Sequence, residues 1–222
     1  MKRIVSALLI FALLLSSAAF AEFIQIDGDF SIRGGVMFGM SPEEVKAVES
    51  GTPSENERNG EFSLGYAGLD SLAGIPILRN RSDVITYVFP LPGKKLDAVE
   101  YWFGYYDGGA DKYFEELCGT ISNKYGKPLH YNDGKTFARL TPTLETWLSY
   151  VGMGIYKMGQ LGEWVIDYGN YYVMIDVFTL RDDGTDQLIV GYKYISAEEM
   201  AEIISDAISD EQEKENQRNN DV

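Results

Sequence analysis

Cysteine and histidine are nearly absent from these 222 residues: Cys118 and His130 are the only ones. One cysteine permits no intrachain disulfide, so a hydrophobic core must hold the fold unaided. The same scarcity argues against a zinc site built from cysteine and histidine. Positive charge is also short, with 19 Lys and Arg against 34 Asp and Glu for a net charge of −15. An acidic surface repels phosphate backbones, which argues against nucleic acid as a partner, and it keeps a protein soluble. Past the amino terminus no apolar run approaches the ~20 residues that a membrane-spanning helix needs.

What the amino terminus does have is the pattern of an export signal. Lys2 and Arg3 form a basic start, Ile4 to Leu15 an apolar stretch, and Ala19-Phe20-Ala21 a small-residue cleavage motif. Cleavage is expected before Glu22, giving a secreted or periplasmic, cell-envelope protein of net charge −17 once Lys2 and Arg3 are gone. An uncleaved anchor is disfavoured because Ser16, Ser17 and Ala18 make a poor helix centre in a bilayer. No cysteine stands at the expected new terminus to carry a lipid. The remaining residues suit one domain, or two small ones.

Three helices can be read from their ends. Met40-Ser41-Pro42-Glu43-Glu44-Val45 combines an N-cap serine, proline in the first turn, a capping box and a hydrophobic staple, and Gly51 closes the segment. Residues 111–125 place Phe114, Leu117, Cys118, Ile121 and Tyr125 on one face before Gly126 and Pro128. A closing helix over 197–208 starts from Ile195-Ser196-Ala197-Glu198-Glu199-Met200, with Met200, Ile203, Ile204, Ala207 and Ile208 as its stripe. Residues 210–222 carry no stripe and read as a disordered tail.

Between the helices the apolar period becomes two. Strands are expected at Val84–Pro90, Leu96–Tyr105, Phe137–Leu140 and Leu144–Val151, while the glycine-rich 152–162 stretch has no legible structure. The last three strands form a meander. The Gly169-Asn170 turn sets Ile166 against Val173 and Trp164 against Ile175; the next connection sets Val177 against Val190 and Ile175 against Tyr192. One apolar face then runs across all three strands, and a one-residue slip would destroy it. The expected class is α+β: antiparallel sheet with helices packed on one face, in two degenerate helix-plus-strands blocks at 36–105 and 110–195.

The segment Val36-Met37-Phe38-Gly39-Met40-Ser41-Pro42-Glu43-Glu44-Val45, followed by Gly51-Thr52-Pro53, resembles the opening of SmpA/BamE-like envelope proteins and of secreted β-lactamase-inhibitor-like repeats. The resemblance implies helix-and-sheet modules that bind other proteins, the first family in outer-membrane protein assembly. It covers fewer than 20 residues, and the lipid-bearing cysteine of the envelope lipoproteins is missing. The two-block length is closer to the inhibitor-like arrangement.

Candidate chemistry is thin. Cys118 lies on an apolar helix stripe, where a cysteine is ordinarily an inert small hydrophobe, and His130 follows a helix stop with no evident acidic partner. Asp182-Asp183-Gly184-Thr185-Asp186 lacks the ligand spacing of a calcium loop, and Asp27-Gly28-Asp29 and Asn132-Asp133-Gly134 read as turns too. Glycines 152, 154, 159 and 162 open no helix, so they are no dinucleotide loop. No cofactor or metal is expected.

Three sets of residues remain. Val165, Tyr172, Met174, Phe178 and Ile189 share the outer face of the meander, as a partner-binding patch or as a layer covered by the third helix or first block. Trp102 points away from Tyr101 and Phe103 and could stack on cell-wall glycan. Glu163 and Asp176 stand opposite each other, where paired carboxylates could divide acid and base roles in a hydrolase, or stay solvated beside Lys193. The leading expectation is a non-enzymatic binding or envelope-assembly protein with an exported protein partner, then a glycan binder, then the hydrolase.

Overall fold

The computed structural model describes residues 23–58, 60–67, 71–72, 75–76, 84–105, 109–132, 157–181, 186–205 and 209. The expected export segment, the expected strands at 137–140 and 144–151, Ala207 and Ile208, the aspartates at 182–183 and the expected tail at 210–222 lie outside the described residues.

A short strand β1 (Ile24–Gln25) leads through residues 26–41 to helix α1 (Pro42–Val48). Ser41 Oγ accepts from the Glu44 backbone at 3.3 Å, and Glu44 Oε2 accepts from the Ser41 backbone at 2.7 Å, so the capping box is complete. Those two bonds from Ser41 hold the Glu44 carboxyl below its ordinary value. At the other end the Glu49 carboxylate, almost fully buried, forms an ion pair with Arg33, Nε at 3.1 Å, and accepts from the Tyr87 hydroxyl. That clasp ties the chain before the helix to the sheet beneath it.

Strands β2 (Ser54–Arg58), β3 (Glu61–Ala67), β6 (Val84–Pro90) and β7 (Ala98–Tyr105) follow, with a small separate hairpin of β4 (Ser71–Leu72) and β5 (Ile75–Pro76). Helix α2 (Ala110–Tyr125) then precedes β8 (His130–Asn132), β9 (Lys157–Asp167), β10 (Tyr171–Arg181) and β11 (Asp186–Ser196). A last helix, α3, covers residues 197–205 and opens on the Glu199 amide bonded to Ser196 Oγ at 3.1 Å.

All strands except β4 and β5 join one sheet, ordered β1-β9-β10-β11-β7-β6-β3-β2 with β8 also on β9. Every pairing is antiparallel except β1 with β9. The order has a simple logic. Among the described residues each half places a helix before four antiparallel strands of this sheet, and the last strands of the halves, β7 and β11, meet at the centre. Pairing between those two strands therefore makes one sheet of two blocks.

The meander has the register expected from sequence: Ile166 pairs with Val173, Trp164 with Ile175, Val177 with Val190 and Ile175 with Tyr192. Gly169, at φ +84°, makes the β9–β10 turn, and its amide bonds to Asp167 Oδ1 at 2.7 Å. Strand β9 extends into the glycine-rich stretch that had no legible structure. Gly162 explains one of those glycines: a Cβ there would lie 3.0 Å from Cys118 Sγ and 3.1 Å from the Trp164 ring. Helix α2 can approach β9 because Gly162 has no side chain.

Helices α1 and α2 cover one sheet face. Val45 of α1 and Phe114, Leu117, Cys118, Ile121 and Tyr125 of α2 share a core with Leu64, Tyr87, Tyr101, Trp164, Ile175 and Tyr192. Burial of large side chains like these stabilises by about 1.5–3 kcal/mol each. The third helix departs from the expectation of helices on one face. Met200, with Ile203 and Ile204 partly buried, packs on Val165, Met174 and Ile195, and these lie on the opposite face of the sheet. An apolar outer face on β9 and β10 gives α3 somewhere to bury its stripe. Among the described residues, no helix is long and apolar enough to cross a membrane.

Candidate functional site

The face opposite α1 and α2 carries every candidate position except Cys118. Directly paired residues share a face, so register sorts them into rows across the sheet. One row runs Ser54, Gly65, Thr86 and Glu100 in the first half, then Gly191, Asp176, Glu163 and the His130 position in the second. A second row is apolar: Ala67, Val84 and Trp102, then Ile189, Phe178 and Leu161. On the other side of the polar row stand Ser63, Val88 and Ala98, then Lys193, Met174 and Val165.

The expected partner-binding patch is not a free surface. Val165, Met174, Phe178 and Ile189 are at most 5 % exposed, and Tyr172 is half-buried against Phe23, ring centroids 5.6 Å apart. Of the two readings the sequence left open, the covered layer is the one found. Val165, Tyr172 and Met174 lie in the cluster with α3, where burying their own apolar area and that of Met200 is favourable.

Asp176 and Glu163 are direct cross-strand partners, as expected, but they are not solvated: their exposures are 5 and 3 %. Lys193 does not sit opposite either acid. It pairs in register with Met174, and its ammonium is 3.3 Å from Glu199 of α3. Glu100 continues the acidic row beyond Gly191 and escaped notice in the sequence. Its Oε2 accepts from Trp102 Nε1 at 3.3 Å, and burial of its carboxyl pushes it up to about 8. Only the β7–β11 pairing, between segments some 90 residues apart, brings it level with Asp176.

Trp102 does face away from Tyr101 and Phe103, which are in the core, and it is partly exposed. Around it the first-half outer face carries mostly small side chains, with Ser63, Gly65, Thr86 and Ala98 partly exposed and Val88 buried. Cys118 is buried against Gly162, and burial pushes its thiol up to about 12, so it has the character of an inert core residue. His130 occupies a β8 position in register with Glu163. Among the described residues, no group of three or more His, Cys, Asp or Glu could hold a metal ion.

These features define an α+β protein on an open, mostly antiparallel sheet, with two helices on one face and a third on half of the other. Comparison with protein-family models, with curated proteins and with solved structures finds no match.

Proposed function

We propose that this is an exported, non-enzymatic binding protein that meets another exported or envelope protein through the outer face of its first half. One observation carries the reading: Ser63, Gly65, Thr86, Ala98 and Trp102 stay partly exposed on a sheet whose opposite face, and whose outer face in the second half, are buried. Small side chains around one tryptophan leave the sheet surface open to a partner, with the indole as an aromatic anchor. The export pattern and the resemblance to envelope modules support the partner class. Affinity capture from the exported fraction, with wild type and Thr86→Arg, tests it. A partner retained by wild type and lost with Thr86→Arg at unchanged melting temperature is expected. Retention unaffected by Thr86→Arg contradicts it.

A glycan-binding reading has its own support in Trp102, whose partly exposed indole suits the apolar face of a sugar. Retention on peptidoglycan that disappears in Trp102→Ala favours it, and no retention removes it. The hydrolase reading through Glu163 and Asp176 ranks last, because both side chains are at least 95 % buried and a substrate must reach them. Unchanged turnover in Glu163→Gln disposes of it.

A further inference from the structure

Glu100 and Trp102 stand two residues apart on β7, and side chains at that spacing share one face of a strand. The indole Nε1–H donates to Glu100 Oε2 at 3.3 Å, so the aromatic side chain of the first-half outer face is tied to an acid beside it. Both residues are half-buried, with Val84 and Ile189 on either side of Trp102 and Thr86 and Gly191 on either side of Glu100. Beyond the indole the face is open: a Cβ at Gly104, next in line on β7, would meet no atom of the described residues within 4 Å. The indole therefore has room to turn, and its bond to Glu100 restrains it.

The charges around that carboxyl are mostly of its own sign. Asp176 on β10 lies beyond Gly191, with Glu163 on β9 after it. Glu61 on β3, in register with Arg58 on β2, acts on the carboxyl through its charge. On β11, Lys193 is two residues from Gly191 but 3.3 Å from Glu199 of α3, and Asp97, whose carbonyl accepts from the Tyr194 amide at 2.8 Å, adds another acid there. Strand β6 brings no charged side chain to this face.

We infer that Glu100 is the positioning residue for Trp102 and that loss of its proton re-aims the indole, which makes contact through the outer face pH-dependent; the inference rests on the binding face proposed above. Burial pushes the carboxyl up to about 8, so the acid is neutral in mildly acidic solution and ionised in mildly alkaline solution. Ionisation makes the bond from the indole charge-assisted, and such bonds close to about 2.7–2.9 Å. A carboxylate beside like charges and out of water is also costly, so ionisation favours a pose in which it reaches solvent. The indole bonded to it moves with it.

The test is fluorine NMR of a chain of residues 22–222 labelled with fluorotryptophan, which gives one line each for Trp102, Trp147 and Trp164. The Trp102 line is the one missing from Trp102→Phe. Across a pH titration that line should shift with a midpoint near 8 in wild type and stay fixed in Glu100→Gln, which keeps an acceptor for the indole but cannot ionise. A Trp102 line that stays fixed in wild type, or that moves equally in Glu100→Gln, overturns the inference. Gln matches Glu in size, so a folded variant is expected, with a melting temperature in mild acid equal to that of wild type. The capture experiment with Thr86→Arg tests the face itself, so the switch and the binding face fail separately.

Discussion

The two halves share an order of elements and differ in how much they bury. In the second half β9, β10 and β11 each run eleven residues, and α3 covers part of their outer face. The first half contributes strands of five to eight residues to the shared sheet, and every residue of its edge strand β2 is exposed. The β2 carboxylates are matched by Lys46 to Glu55 at 2.6 Å and by Lys94 to Glu57 at 3.3 Å. A charged edge discourages pairing with other chains. One half therefore buries most of both sheet faces, while the other leaves part of its outer face exposed.

Removal of α3 should show the largest difference between the halves. A chain ending at Ser196 loses Met200, Ile203 and Ile204 and exposes Val165 and Met174, an expected loss of about 3–6 kcal/mol in denaturant melts. A chain ending at Ser209 keeps the helix and should melt like the chain that runs to Val222. Equal melting of both truncations would break the comparison at its carboxyl end. Within the shared core, Trp164→Ala should cost about 3–5 kcal/mol, since the indole is buried and its Nε1 bonds Gly126 O at 3.0 Å. Phe62→Ala, on a half-buried first-half ring, should cost about 1–2 kcal/mol. Similar losses at both positions would mean that the halves are equally packed.

Glu100, where the halves meet, adds a pH dependence. Its folded-state pKa is raised by burial from 4.5 to about 8, so the folded protein holds this proton more tightly than the unfolded chain does. The stability it contributes is full below about 4.5 and is lost as pH rises toward about 8. Thermal melts across that window should show this decline in wild type and a flatter profile in Glu100→Gln. Identical profiles would contradict a buried Glu100 carboxyl. The smallest effect is at the helix starts. Ser41→Ala removes the α1 capping box and should cost about 1 kcal/mol, whereas α2 starts from Gly109 with no side-chain cap to lose.

Local chemistry was legible in the sequence. The α1 cap, the α2 stripe and the Gly169 turn each depend on neighbours within a few residues, and the register of β9 to β11 follows from that turn together with alternation. Long-range pairing was not. Nothing in Ala98–Tyr105 states that it lies beside β11, so the row joining Glu100 to Asp176 and Glu163 could not be read. The burial of Glu163 and Asp176 was hidden for a related reason: alternation assigns them to a face but does not say whether that face is covered. Gly162 looked like one more glycine until α2 was packed against it.

Hydroxyl-radical footprinting of a chain of residues 22–222, read residue by residue by mass spectrometry, tests the contrast between the outer faces most directly. Methionine oxidises readily wherever solvent reaches it, which makes Met174 a sensitive reporter for the second half. Met174, 2 % exposed, should be protected relative to Met37 at 37 %, and Trp102 should oxidise faster than the core Trp164. Oxidation of Met174 at the rate of Met37, or protection of Trp102 equal to that of Trp164, would contradict a sealed second half and an accessible first.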